Sequence, residues 1–172
     1  MTDAERIRLE RVSSEMRALL ANLLELYSHD LSDVFGIDVG ADGRFGYPKL
    51  ERYWSSPDSH YAFLLRYGWI AGFALVTRGS PVTEDPSVFD VAEFFVLRRY
   101  RRLGVGRPAG ALWGTLTGRW IVRVSEANRA ALTFWIDVVR RYTGGNFTEV
   151  TRDRDGHRWR VFSFDTASSR QA

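Results

Sequence analysis

Two groups of residues in this chain are of types and spacings that do chemistry. The first is Arg98-Arg99-Tyr100-Arg101-Arg102-Leu103-Gly104-Val105-Gly106-Arg107, where five arginines crowd one turn and two glycines follow. Guanidinium forks match phosphate oxygens. A helix N-terminus adds unpaired N–H groups and partial positive charge, and glycines let the backbone approach an anion without a Cβ in the way. The chemistry this order suits is the clamping of a pyrophosphate. The second group is a single acid, Glu93, inside the otherwise apolar run Val91 to Val96. A carboxylate is expensive to bury there without a task or a partner. An alkylammonium, with a pKa of about 10, is mostly protonated at neutral pH, so a positioned carboxylate has a use as a base. Strand alternation aims Glu93 opposite to Phe94, where it serves as that base, faces water or pairs with an arginine.

The elements that must carry these groups follow from periodicity and turn residues. Residues 7–12 alternate apolar and charged and read as a first strand. Met16, Leu19, Leu20, Leu23, Leu24 and Tyr27 recur at helical spacing, with Ser13 or Ser14 as the cap. A second short helix is expected over 30–35, a glycine-rich loop over 36–46, and one or two helical turns over 48–54. Residues 61–67 and 69–78 read as a hairpin about Gly68. Residues 89–96 form the strand that feeds the arginine turn, and 104–117 form the helix that follows, with Pro108 tolerated in its first turn. A strand over 120–124, a helix over 128–141 closed by Gly144-Gly145, and a hairpin of 147–152 with 158–164 complete the order. One strand-helix-strand crossover lies around the glycines. The fold class expected is α/β (α+β), a mixed, mainly antiparallel sheet with one parallel pair and helices packed on it.

The composition bounds what such a unit can be. With 172 residues, 45% of them apolar, the chain can bury a full core as one domain over 1–165, leaving 166–172 as a polar tail. No apolar run reaches the roughly 18 residues that span a bilayer. Residues 1–12 are charged and lack the apolar stretch of a signal peptide, so a soluble cytoplasmic protein is expected. Cysteine is absent, and His29, His60 and His157 are too scattered for a metal site by spacing. Lys49 is the sole lysine among 24 basic residues, but the net charge is only +3 and no nucleic-acid recognition motif is present. Neither nucleic acid nor a membrane is an expected partner.

The glycine segment admits three readings. Gly104-Val105-Gly106-Arg107-Pro108-Ala109 matches the dinucleotide fingerprint, with Glu126 about 20 residues on. In that fold the strand enters the first glycine directly, whereas residues 97–103 intervene here. A solvated arginine turn before an ordinary helix is the bland reading. The third is R-x-x-G-x-G in Arg101 to Gly106, followed after one helix and one strand by Asn128-Arg129-Ala130-Ala131-Leu132-Thr133-Phe134-Trp135. This pair of motifs resembles the GNAT superfamily of N-acetyltransferases, whose helix motif runs N-x-x-A-x-x-aromatic. Glu93-Phe94-Phe95-Val96, Gly118-Arg119-Trp120, Phe134-Trp135 and Tyr142-Thr143-Gly144-Gly145 are similar to a bacterial subgroup of predicted acetyltransferases.

The resemblance implies a GNAT-like fold whose single parallel strand pair is splayed, acetyl-CoA as cofactor, and transfer of an acetyl group to a primary amine of a small molecule or protein. It implies that the pantetheine arm lies as a pseudo-strand along Phe94, Phe95 and Val96, and that backbone donors from Leu103, Gly104, Val105, Gly106 and Arg107 hold the pyrophosphate. Arg101, Arg102 or Arg107 would reach phosphates, Asn128 would bond the pantetheine amide region or cap its helix, and Ala131 and Phe134 would line the cofactor. Where many members carry a tyrosine after the residue matching Phe134, this chain has Trp135, whose indole is no practical acid. Tyr142, two turns along the same helical face, is either a distant substitute or core. Loop residues Tyr27, His29, Asp30, Asp33, Asp38 and Asp42 would suit a cationic acceptor or simply water. The alternative to an enzyme is a non-catalytic acyl-CoA-binding module, and a homodimer is the candidate assembly.

Overall fold

Leu20, Leu23 and Leu24 lie on one stripe of the first long helix, and their burial against the sheet fixes where that helix sits. In the computed structural model, which describes residues 7–101 and 106–167, β1 is Ile7–Arg11 and α1 is Arg17–Phe35. The expected break before residue 30 does not occur. No glycine or proline interrupts residues 27–35, so α1 runs on to Gly36, whose φ of 60° closes it. Its entry also differs from expectation. Ser14–Met16 forms a 3₁₀ turn, and neither Ser13 nor Ser14 caps the helix by a side-chain bond.

After α2 (Arg52–Ser55) come β2 (His60–Tyr67), β3 (Trp69–Arg78) and β4 (Phe89–Val96). Then follow α3 (Gly106–Thr115), β5 (Arg119–Ser125), α4 (Arg129–Thr143), β6 (Thr148–Arg154) and β7 (His157–Asp165). The strands make one seven-stranded sheet in the order β1-β2-β3-β4-β5-β7-β6. Every neighbouring pair is antiparallel except β4 with β5. Helices α3 and α4 cover one face over Val76, Trp120 and Phe162, and α1 and α2 cover the other over Leu64, Phe73 and Leu75. The C-terminal hairpin turns at Asp155 (φ 52°) and Gly156 (φ 75°), the Asp-Gly pair that suits a type I′ turn. Among the described residues no helix is long and apolar enough to cross a membrane.

Two irregularities in β4 shape the centre of the sheet. Against β3, Leu75 pairs with Glu93 and Val76 with Val91, so Ala92 is one residue too many and forms a β-bulge. Phe89 and Val91 belong to the α3/α4 face, and uninterrupted alternation would put Glu93 there too. The bulge turns Ala92 and Glu93 to the α1 face in succession, with Phe94 returning to the α3/α4 face and Phe95 to the α1 face. On its other side β4 pairs with β5 only at Phe89↔Trp120 and Asp90↔Ile121, after which the strands part.

At the C-terminus, Thr166 was expected in the tail. It is buried instead, with its hydroxyl accepting from the Gly118 N–H at 2.9 Å and its own N–H donating to the Gly118 carbonyl at 3.0 Å.

Candidate active site

Tyr27 follows Leu20, Leu23 and Leu24 at seven, four and three residues, so it extends the buried stripe of α1 toward the sheet. Its ring packs edge-on against Phe73 and Phe95, with centroids 5.6 and 5.8 Å away. This leaves its hydroxyl donating to Glu93 Oε2 at 2.5 Å. Tyr47 reaches the same carboxylate from the loop after α1, its hydroxyl donating to Oε1 at 3.0 Å. That loop is tied back to α1 by Glu25, whose two oxygens accept from the backbone N–H groups of Phe45 at 2.8 Å and Gly46 at 2.9 Å. Thus α1 sets both hydroxyls.

Burial pushes the Glu93 carboxyl above the ordinary range for glutamate, while the two hydroxyls and the Arg123 guanidinium pull it down and Asp90 pushes it up. Burial and the Glu93 charge in turn raise Tyr27 and Tyr47, so both hydroxyls stay protonated as donors at neutral pH. The arrangement is a half-buried carboxylate with raised proton affinity, oriented by two donors. Beside Tyr47 lies a pocket of about 580 Å³ whose walls include Glu25, Asp38, Asp42 and Arg44.

The other expected site residues divide. Phe94 stacks on Phe134 at 5.9 Å and meets Trp135 edge-on at 5.0 Å, so β4 and α4 meet through these rings. Phe95 and Val96 are buried at the end of β4. The Asn128 side chain caps α4, accepting from the Ala131 N–H at 3.1 Å. Arg101 donates from Nε to the Val96 carbonyl at 2.8 Å and is paired with Asp30, which also holds Arg98 at 3.0 Å. Arg101 and Arg98 are therefore engaged by a carboxylate, and Asp30, read from the sequence as part of an acidic surface for an acceptor, is spent on them. Those arginines hold the Asp30 carboxyl low against the opposing effect of its burial. Gly106 and Arg107 open α3, while Arg102, Leu103, Gly104 and Val105 lie outside the described residues.

Tyr142 is on the far side of the sheet from Glu93, in the α3/α4 core, with its ring 4.6 Å from that of Trp113 and 6.1 Å from that of Phe164. The structure does not bring it to Glu93. Trp135 is buried in the same core. Sequence reasoning missed Tyr47, Asp90 and Arg123. Asp90, a second acid in the same apolar strand as Glu93, was the available signal for one of them.

No family model and no curated protein matches the sequence. Solved structures do match in shape. Aminoglycoside acetyltransferase AAC(6')-Ib in complex with coenzyme A aligns over 96% of this chain and 98% of its own, with a TM-score of 0.68 and 14% identity. Spermidine N-acetyltransferase from Vibrio cholerae, in complex with CoA and spermine, aligns over 97% and 99%, with a TM-score of 0.64 and 9% identity. A GNAT-family acetyltransferase from Staphylococcus aureus Mu50 aligns over 93% and 99%, with a TM-score of 0.59 and 16% identity. The chain has the GNAT acetyltransferase fold. The alignments cover 93–97% of the chain, so the likeness is one of the whole fold. The expected mixed sheet with a single splayed parallel pair and helices on both faces is the one observed.

Proposed function

We propose that this protein is an acetyl-CoA-dependent N-acetyltransferase acting on a primary amine, with Glu93 as its general base. The observation that carries the reading is the Glu93 carboxylate, turned by a bulge to the α1 face and held by Tyr27 and Tyr47 in the strand that leaves its parallel neighbour after two rungs. An extended arm that binds as a pseudo-strand needs an unpaired strand edge, and the parting of β4 from β5 supplies one over residues 91–96. Bound there, acetyl-CoA supplies an activated acetyl thioester. The chain's own part is to orient and to move a proton. Phe94 and Phe134 line the slot, Asn128 keeps α4 in register through its cap, and the turn after Val96 leads into the glycines proposed to hold the pyrophosphate. Glu93 takes the proton from the acceptor's ammonium, for which its raised affinity fits it. Its charge and the acidic pocket beside Tyr47 favour a cationic acceptor.

Tyr142 is not retained as an acid, because its ring is in the opposite core. With Trp135 buried, the proton for the departing thiolate comes from water or from a tyrosine near Glu93; a thiolate leaves tolerably without it. The same Trp135 favours a second reading, a non-catalytic acyl-CoA-binding module. A single domain over 1–165 acting in the cytoplasm, where acetyl-CoA is available, completes the proposal.

Thermal-shift measurements with acetyl-CoA, CoA and NAD, followed by assay of free thiol release across a panel of amines, test it. Stabilisation by the two CoA species together with amine-dependent thiol release is expected. Stabilisation by NAD alone overturns the proposal, and CoA binding without turnover on any amine moves it to the second reading.

A further inference from the structure

Where β4 and β5 part, a buried and a half-buried side chain join them that the proposed reaction does not use. Asp90 is 0% exposed, at the last parallel rung, and its Oδ2 accepts from Arg123 Nε at 2.8 Å. Its Oδ1 has no hydrogen-bond partner among the described residues. The Arg123 side chain is 17% exposed and its guanidinium lies 5.6 Å from the centre of the Trp159 ring, which stacks on Phe35 from the end of α1. Arg123 lies two residues past Ile121 on β5, and the bulge turns Glu93 to the α1 face, where the charges of Arg123 and Glu93 act on each other. One guanidinium therefore stands near two carboxylates of β4 and is bonded to Asp90.

The choice matters for the base. A guanidinium bonded to Glu93 would occupy the lone pairs that must receive a proton and would stabilise the charged carboxylate against receiving it. We propose that Asp90 is a positioning residue that engages Arg123 and so keeps the Glu93 carboxylate free to take a proton from the acceptor. This rests on the acetyltransferase reading for its purpose, but not for its measurement. The groups facing Glu93 are Tyr27 from α1, Tyr47 from the loop after it, Tyr53 from α2, Asp90 from its own strand and Arg123 from β5. The tyrosines are neutral, and among the described residues Asp90 and Arg123 are charges acting on Glu93 with opposite signs.

The test is a ¹³C NMR titration of the Glu93 side-chain carboxyl in the full chain, which needs no turnover. In Asp90→Asn the charge that raises Glu93 is lost and the guanidinium, without its counter-ion, turns to Glu93; both act downward, and the Glu93 midpoint is expected to fall by about one pH unit or more. Adding Arg123→Gln to that variant removes the attraction, and the midpoint is expected to return to the parent value. The acidic limb of the pH dependence of kcat is expected to move with the midpoint, which a merely structural role for Asp90 would not produce. An Asp90→Asn midpoint that stays or rises overturns the proposal, as does a double variant that keeps the low midpoint. Should Asp90→Asn not fold, Asp90→Glu, which keeps the charge but displaces it from Arg123 Nε, decides: a lowered midpoint supports the proposal, and an unchanged or raised one overturns it. Absence of acetyl transfer in the parent chain would instead defeat the enzyme reading while leaving the Glu93 titration to report on Asp90.

Discussion

Adding one methyl group at Gly72 is expected to damage the centre of the sheet. Gly72 lies on β3 opposite Val96, and a Cβ built there falls 1.9 Å from the Phe95 carbonyl oxygen and 3.0 Å from Val96 Cα. These are backbone atoms, so no rotamer change relieves the clash. Ordinary contact begins at 3.4 Å, and β4 must therefore retreat from β3 by 1.5 Å at this point. Overpacking of this kind costs about 1–3 kcal/mol. In a domain of this size 1 kcal/mol is worth roughly 2–4 °C, so Gly72→Ala should melt about 2–12 °C below the parent. The displaced residues sit two and three positions past Glu93 and lead into the arginine turn. A misplacement of about 1 Å at a reacting centre costs roughly 100-fold, so kcat/KM for acetyl-CoA should fall by about that factor in whatever fraction remains folded. Circular-dichroism melts and steady-state kinetics check both. The comparison variant is Gly114→Ala in α3, where a Cβ meets nothing within 4 Å. It adds the same methyl and should stabilise the helix by roughly 0.5–1 kcal/mol. A Gly72→Ala protein with the parent's melting temperature and kinetics would refute the reasoning.

Removing a donor from Glu93, in Tyr27→Phe or Tyr47→Phe, leaves burial less opposed, so the acidic limb of the kcat/KM profile should move to higher pH; a limb that stays or moves down would count against the assigned hydrogen bonds. Because the folded carboxyl of Glu93 binds its proton more tightly than the unfolded one, the parent loses stability as pH rises from the ordinary glutamate range through the raised folded value. Thermal melts of Glu93→Gln against the parent should therefore show the variant gaining relative stability across that window, and a constant difference would contradict the shift. Asn128→Ala removes the cap of α4 and should cost about 1 kcal/mol in chemical denaturation, a value near zero indicating that the bond to Ala131 contributes nothing.

The order of elements was legible because the apolar spacing of α1, α4 and the strands is regular and the turns carry Gly36, Gly68, Gly144 and Asp155-Gly156. Glu93 was legible as an anomaly, an acid in an apolar run. What it touches was not. Its face depends on a bulge at Ala92 that no residue type announces, since alanine fits either side of a strand. Tyr47 comes from a loop whose path is set by Glu25 accepting two backbone N–H groups, a long-range bond that periodicity does not reveal. The arginine turn was read for its charge, and the competing charge came from Asp30 on α1, 68 and 71 residues earlier than Arg98 and Arg101. Tyr142 shares a helical face with Trp135, as its spacing implied, and both belong to the core that α3 and α4 build on the other side of the sheet.

The central claim is that Glu93 removes the proton from an amine that attacks acetyl-CoA. Its most direct test is free thiol release from acetyl-CoA with a panel of primary amines, comparing the parent with Glu93→Gln at equal folded concentration. The account predicts amine-dependent release by the parent and a loss of about 100-fold or more in the variant, with binding of acetyl-CoA retained. Release by Glu93→Gln at the parent rate would contradict it.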